Sequence, residues 1–158
     1  MLPDYARAVL FDPLGIGPIE WRIGPNGERN FASGVGMRPR DLARIGQLLP
    51  DGGKVAERQV VPADWLEASF QPQVTIGDRR DYGYHWYLGE SVFNVVDGPR
   101  REPWIAAMGN GGQRLYVLPR LDVSVVITAG NYNRRDQGTP PNRVLTEIVL
   151  PNLRWSPR

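Results

Sequence analysis

Three apolar runs in the second half of the chain constrain the fold most, because they are short and separated by turn formers, and because the last of them is rich in β-branched residues. They cover residues 104–108, 114–118 and 123–129. The last two are joined by residues 119–122, and that spacing predicts a β-hairpin. Residues 123–129 are almost uniformly apolar, which predicts a strand covered on both faces, in the middle of a sheet.

The first half of the chain has helical spacing instead. Pro39 stands at a first helical position, apolar residues recur at helical intervals to Leu49, and the turn formers at 50–53 end the pattern. The same criteria apply elsewhere along the chain. We predict helices over residues 4–10, 39–49, 62–69 and 144–150, extended pieces near 20–22, and further strands over 82–88 and 91–96.

Together these elements predict an α/β fold with antiparallel strands, short helices and a C-terminal helix laid on the sheet. The chain has 158 residues and no linker or repeat, so we treat residues 1–158 as one domain. Its 18 Gly and 15 Pro, about one residue in five, are too many for a helical bundle.

Several function classes are disfavoured by composition. No apolar run approaches the roughly 18 residues that span a bilayer, and no signal peptide opens the chain, so we expect no membrane association and a cytoplasmic location. Of the 19 basic residues, 18 are Arg, and they form no run longer than a pair. We therefore expect no nucleic-acid partner.

Nucleophilic and metal chemistry are limited by what the chain lacks. There is no Cys, and His85 is the single His, so neither a thiolate site nor a multi-His metal site is available. We predict no metal and no cofactor. Lys54 is the single Lys and Asp51 stands three residues before it, so no Ser-x-x-Lys motif occurs. We interpret His85 as a packed or half-exposed strand residue, with a catalytic base as the alternative, and Lys54 as solvated.

One segment is typical of a ligand-binding turn. A predicted strand end runs into five residues of which three are Gly, and Gly lets backbone N–H groups approach a ligand closely. Such groups can stabilise an oxyanion during acyl transfer, although a tight turn between strands needs the same residues. The segment consists of Gly109, Asn110, Gly111, Gly112 and Gln113.

Four segments in order resemble one family. Residues 10–16 read LFDPLGI, residues 33–46 read SGVGMRPRDLARIG, residues 82–86 read YGYHW and residues 109–113 read GNGGQ. They are similar to segments of the β-lactamase-related serine hydrolases, which include class C β-lactamases, penicillin-binding DD-peptidases, family VIII esterases and 6-aminohexanoate-dimer hydrolases. The last segment looks most like the esterase and amide-hydrolase branch.

The resemblance implies a site as well as a fold. It implies a β-lactamase/transpeptidase-like fold, with the Asn110 N–H as an oxyanion donor and with Gly36 and Met37 bordering the pocket. Residues 107–109 read Ala-Met-Gly where relatives carry Lys-Thr-Gly or His-x-Gly, so the cationic side chain that binds a substrate carboxylate is missing. Tyr84 and Trp86 would pack against the sheet.

The resemblance also implies that the chain is the C-terminal part of a longer hydrolase. The Ser-x-x-Lys and Tyr motifs of relatives precede the segment at residues 10–16, so we expect no catalytic residue within the chain and no activity of it alone. An ester or amide substrate would require an N-terminal part, and the incomplete sheet would favour self-association. The alternative is a non-catalytic binding or interaction module that keeps the fold.

Overall fold

A computed structural model describes residues 2–29, 33–77 and 80–153, and within them the chain forms five α-helices and ten strands. The helices are α1 (Leu2–Ala6), α2 (Pro39–Gln47), α3 (Ala63–Ser69), α4 (Thr139–Arg143) and α5 (Leu150–Asn152); wider π-helical turns continue α1 over Arg7–Phe11 and join α4 to α5 over Val144–Val149. The strands are β1 (Glu20–Trp21), β2 (Val35–Gly36), β3 (Lys54–Val55), β4 (Arg58–Gln59), β5 (Val74–Ile76), β6 (Arg80–Gly83), β7 (Trp86–Val95), β8 (Gly98–Gly109), β9 (Gln113–Leu118) and β10 (Val123–Ile127).

Six strands form one antiparallel sheet in the order β10-β9-β8-β7-β6-β5. The two other sheets are the short pairs β1–β2 and β3–β4. The large sheet is built from consecutive hairpins, so each strand lies beside its neighbour in sequence. Within the described part of the chain, no helix is long and apolar enough to cross a membrane.

The two faces of the sheet bury different partners. Because successive side chains of a strand alternate between faces, Tyr116 and Leu118 point to one side while Leu115 and Val117 point to the other. The first pair packs against residues 139–152, which we call the C-terminal helix, through Leu145 and Leu150. The second pair packs against the end of α2 and its following turn. The predicted C-terminal helix on the sheet is confirmed.

The buried phenol of Tyr116 links sheet and helix. Its hydroxyl donates a hydrogen bond of 2.6 Å to Asn142 Oδ1 in the C-terminal helix. Burial raises the pKa of Tyr116 above its ordinary value of 10.0, so the donor proton is held at physiological pH. The hydroxyl is therefore satisfied within an otherwise apolar layer.

Two strand predictions differ from the structure. Residues 82–88 are not one strand, because Tyr84 and His85 turn the chain between β6 and β7 with φ angles of 45° and 72°. Neither position of this two-residue turn is Gly or Asn, and the aromatic residues on both sides give the sequence pattern of one continuous strand. Residues 91–96 are not a separate strand, since 91–95 continue β7.

The position of β10 is also different. It lies at the edge of the sheet and not in the middle, and among the described residues no strand pairs with its outer side. Its apolar pattern reflects cover on both faces: Val123 and Val125 pack toward the C-terminal helix, and Val126 packs toward α2. Burial of both faces makes a strand apolar, whether the strand lies in the middle or at the edge of the sheet.

Helix α2 approaches the sheet most closely at Gly46. A Cβ at this position would lie 2.7 Å from Leu115 Cδ1 and 2.8 Å from Ser124 Oγ. Gly46→Ala is therefore expected to lower the free energy of unfolding by about 1–3 kcal/mol through overpacking. Helix propensity alone predicts the opposite sign, a gain of about 1 kcal/mol.

Denaturant unfolding of Gly46→Ala beside Gly130→Ala measures this effect. A Cβ at Gly130 has no heavy atom within 4 Å, so that variant is the control and is expected to stay within about 0.5 kcal/mol of the wild type. Stabilisation by Gly46→Ala would show that the helix does not sit this close to β9 and β10.

A buried carboxylate lies on β8. Glu102 is fully buried, and neither of its carboxylate oxygens has a hydrogen-bond partner among the described residues. Burial raises the pKa of Glu102 above its ordinary value near 4.5, and the charge of Arg120 opposes that shift. In the pH range between the unfolded and the folded pKa, the native state therefore holds a proton that the unfolded chain releases.

This proton makes stability depend on pH in a defined direction. Because the folded pKa is raised, the Glu102 contribution is most favourable below pH 4.5 and becomes unfavourable as pH rises toward the folded pKa. We therefore expect the free energy of unfolding of Glu102→Gln, relative to that of the wild type, to rise by about 1–3 kcal/mol from acid to neutral pH. Unfolding titrations at several pH values measure the difference.

Glu90→Gln is the control for this titration. Glu90 is exposed on neighbouring β7 and accepts a 2.6 Å hydrogen bond from Arg101, so its loss should cost less than about 1 kcal/mol. Equal pH profiles for Glu102→Gln and the wild type would contradict the raised pKa.

Candidate functional site

The glycine-rich segment forms the turn between β8 and β9. Gly109 pairs with Gln113 as the last rung of the ladder, and the chain reverses over the three residues between them. Gly111 and Gly112 have φ angles of 87° and 90°, a region that residues with a Cβ rarely adopt. The sequence thus places two glycines where the backbone requires them.

This turn is held by the loop that follows β10, residues 128–138. The Gly111 N–H donates a 2.5 Å hydrogen bond to Gln137 Oε1. Asn110 and Asn133 are joined twice, by Asn110 Nδ2 to Asn133 Oδ1 at 2.9 Å and by Asn133 N to Asn110 Oδ1 at 3.1 Å. The Gln113 amide donates to the Ala129 carbonyl oxygen. The turn is consequently rigid and oriented by contacts distant in sequence.

The close approach of this loop also explains two of the glycines. A Cβ at Gly111 would lie 2.7 Å from Tyr132 Cδ1, and one at Gly112 would lie 2.7 Å from the Gln137 carbonyl oxygen. Packing inside the protein therefore requires these glycines without any ligand. Gly109 differs, because it is exposed and a Cβ there would meet only the Gln113 side chain, at 3.2 Å.

A cleft of about 700 Å³ opens beside the start of the turn. It lies on the sheet face that carries Met108 and Tyr87, opposite the face on which α2 packs. Its wall is partly apolar and strongly basic. The lining residues are Ile76, Arg80, Tyr87, Met108, Gly109, Asn110, Arg114, Asn133, Arg134, Arg135 and Gln137.

The charge of this cleft is mostly uncompensated. Arg134 Nε donates a 3.1 Å hydrogen bond to Asp136, which holds the pKa of that carboxyl below its ordinary value. Among the described residues, no carboxylate pairs with Arg80, Arg114 or Arg135. This cluster is not visible in the sequence, because its arginines are scattered over more than 50 positions and only the fold brings them together.

The structure brings together only part of the predicted site. Gly109 and Asn110 line the cleft, whereas Gly36 and Met37 do not. Gly36 lies in β2, paired with Glu20 of β1, and Met37 follows it just before α2. The oxyanion role of Asn110 and the pocket role of Gly36 and Met37 stay predictions.

Ion pairs around Asp41 hold the segment that contains α2. Asp41 is buried, and its two carboxylate oxygens accept hydrogen bonds from Arg38 Nε at 2.7 Å and Arg44 Nη1 at 2.6 Å. Arg44 Nη1 also donates to the Gly15 carbonyl oxygen at 3.1 Å, which ties α2 to the turn after the first helix. Two of the segments that carry the family resemblance thus contact each other.

The remaining residues considered in the sequence lie outside the cleft. His85 is an exposed residue in the β6–β7 turn, with Nδ1 at 3.4 Å from the Tyr82 hydroxyl, so its prediction as a strand residue is wrong. Nearby, the exposed ring of Tyr84 meets Trp65 edge to face at 5.3 Å, whereas Trp86 is half-buried against Phe70. Within the described ranges, no three His, Cys, Asp or Glu side chains converge as metal ligands.

The six-stranded antiparallel sheet with α2 on one face and the C-terminal helix on the other is part of a β-lactamase/transpeptidase-like fold. It is shared by a protein from Bacillus anthracis assigned as a 6-aminohexanoate-dimer hydrolase, with a TM-score of 0.68 and 18% identity over 87% of this chain. A penicillin-binding protein from Bacillus halodurans has a TM-score of 0.54 and 15% identity over 90% of this chain. The resemblance in sequence is confirmed at the level of fold.

The likeness covers only part of these larger proteins. The chain spans 34% of the Bacillus anthracis protein and 49% of the Bacillus halodurans protein. No protein-family model matches the chain, and no curated protein matches it significantly.

Proposed function

We propose that this chain is the C-terminal part of a serine hydrolase that cleaves esters or amides through an acyl-enzyme. The fold similarity to a protein assigned as a hydrolase, over 87% of the chain, carries the proposal. The serine nucleophile and its lysine base are assigned to residues outside these 158, since position 51, three before the single lysine, is Asp51. Alone, the chain is then expected to be inactive.

The β8–β9 turn supplies electrostatic stabilisation in this proposal. Acyl transfer builds negative charge on the carbonyl oxygen, and a preorganised N–H aimed at that oxygen lowers the barrier. The Gly111 N–H already donates to Gln137. Among the described residues the Asn110 N–H has no acceptor, and Asn110 is held by its two bonds to Asn133. Asn110 is therefore the proposed oxyanion donor.

The outer edge of β10, which no described strand covers, supports completion by another segment. Unpaired N–H and C=O groups at a sheet edge favour the addition of a strand. A nucleophile-bearing segment of the same protein can pair there, and without it two copies can associate by the same edge. The size of the isolated chain in solution distinguishes a monomer from such a self-associated form.

Two measurements test the hydrolase proposal. The chain alone is treated with a fluorophosphonate and assayed with p-nitrophenyl esters; no adduct and no hydrolysis are expected. The DNA upstream of Met1 is then read in frame, and the protein including that segment is assayed with the serine of its Ser-x-x-Lys motif intact and replaced by Ala. Serine-dependent hydrolysis supports the proposal.

Each contrary outcome has a definite meaning. A stoichiometric serine adduct on the chain alone would place a nucleophile within it. An upstream stop codon, or an extended protein without turnover, would favour a non-catalytic binding module. That second candidate is favoured by one observation: packing against Tyr132 and Gln137 fully accounts for Gly111 and Gly112. It predicts saturable ligand binding without hydrolysis.

A further inference from the structure

The basic cleft beside the β8–β9 turn has features of a built binding site. Arg114 lies at its base, more than nine-tenths buried, with Nη1 donating to the carbonyl oxygens of Gly109 at 3.1 Å and Gln113 at 2.8 Å. The Nε of Arg114 is buried and has no hydrogen-bond partner in the part of the chain that the structure describes. A buried guanidinium without a carboxylate is costly, and an anion in the cleft would compensate it.

Two further arginines stand at the rim. Arg80 begins β6 and Arg135 lies in the loop after β10, and both are exposed in the described structure. The described lining contains no Asp or Glu, so Arg80, Arg114 and Arg135 contribute three uncompensated positive charges. Guanidinium groups bind carboxylate and phosphate oxygens through paired hydrogen bonds.

The remaining wall indicates the size and character of the ligand. Ile76, Tyr87 and Met108 offer apolar surface, while amides of Asn110, Asn133 and Gln137 add neutral hydrogen-bonding groups. The volume of about 700 Å³ falls within the range of small-molecule pockets, about 300–1,000 Å³. A compact organic ligand with a short apolar body suits this cleft better than a bare ion.

We propose that the cleft binds a small organic molecule carrying two negative charges, as a phosphate monoester or a dicarboxylate. The site lies on the Met108 face of the sheet, away from the α2 face, and it needs no serine nucleophile. Binding can therefore be measured on the chain alone and does not depend on hydrolysis, although Asn110, the proposed oxyanion donor, lines the same cleft.

Calorimetry on the whole 158-residue chain tests this site directly. The probes are phenyl phosphate and isophthalate, with benzyl alcohol as the neutral comparison. We expect saturable binding of at least one dianion and none of benzyl alcohol, and the tighter dianion distinguishes phosphate from carboxylate chemistry. Absence of saturation by both dianions at millimolar concentrations would overturn the proposal.

Matched variants locate the binding. Arg80→Gln and Arg135→Gln change exposed side chains, so both should fold, and each is expected to weaken dianion binding about tenfold. Arg58→Gln removes the same charge from exposed β4, outside the cleft, and is expected to leave affinity within about twofold. An equal loss with Arg58→Gln, or binding of heparin but of neither dianion, would overturn the assignment.

Discussion

Replacing Trp104 with Ala is expected to lower the free energy of unfolding by about 3–5 kcal/mol. The indole is buried on β8 and meets Tyr116 edge to face with ring centroids 5.7 Å apart. A Cβ at Gly89 would lie 2.6 Å from its ring, so the neighbouring strand is shaped to accept it. Its Nε1 donates to Ser91 Oγ at 3.0 Å, and truncation leaves a cavity at the centre of the sheet.

Trp65→Ala is the matched control for Trp104. The Trp65 side chain on α3 is 53% exposed, and its contact with Tyr84 is at the surface. Its removal should cost no more than about 1.5 kcal/mol. Thermal or denaturant unfolding of both variants measures the difference. Similar losses in the two would mean that the β8 face is not the centre of the core.

Asn110→Pro is expected to lower kcat by about 10²–10³-fold in the extended, serine-containing protein. This expectation rests on the proposed hydrolase function. Pro removes the backbone N–H, and neither a positive φ at Asn110 nor a helical residue before it opposes the substitution, because Gly109 is an extended strand residue. The loss should fall on kcat more than on KM, since the oxyanion forms only during reaction.

Asn110→Ala separates the backbone from the side chain. This variant keeps the N–H and loses the two hydrogen bonds to Asn133, so the turn loosens but the donor remains. We expect its kcat to fall by less than about tenfold. Unfolding curves establish that both variants are folded. Equal kcat losses in the two would assign the effect to turn rigidity and remove Asn110 N–H from the proposed oxyanion site.

Local pattern predicted most of the elements correctly. The β9–β10 hairpin, helix α2 and the C-terminal helix all follow from apolar periodicity with turn formers at their ends, which act over a few residues. The β6–β7 turn escaped prediction because Tyr84 and His85 adopt positive φ without the residues that usually signal it. The edge position of β10 was not predicted, because an apolar pattern shows that both faces of a strand are covered but does not show the order of the strands in the sheet.

The candidate site, too, could be predicted from the sequence only in part. Residues 109–113 stand out in the sequence because three glycines end a strand, and their place in a tight turn follows directly. The reason for Gly111 and Gly112 does not, since the Tyr132 ring and the Gln137 carbonyl come from a loop about 20 residues away. Likewise, no short-range sequence pattern indicates that Arg80 lies near Arg114 and Arg135.

By itself the sequence determined the class of fold, the strand-ending glycines and the absence of a Ser-x-x-Lys motif, because these depend on residue type and short spacing. Only the tertiary structure decided which loop holds the turn, which carboxylate is buried and where uncompensated arginines meet. Those properties arise from strand register and from packing between distant segments, where burial makes each polar group depend on neighbours far along the chain.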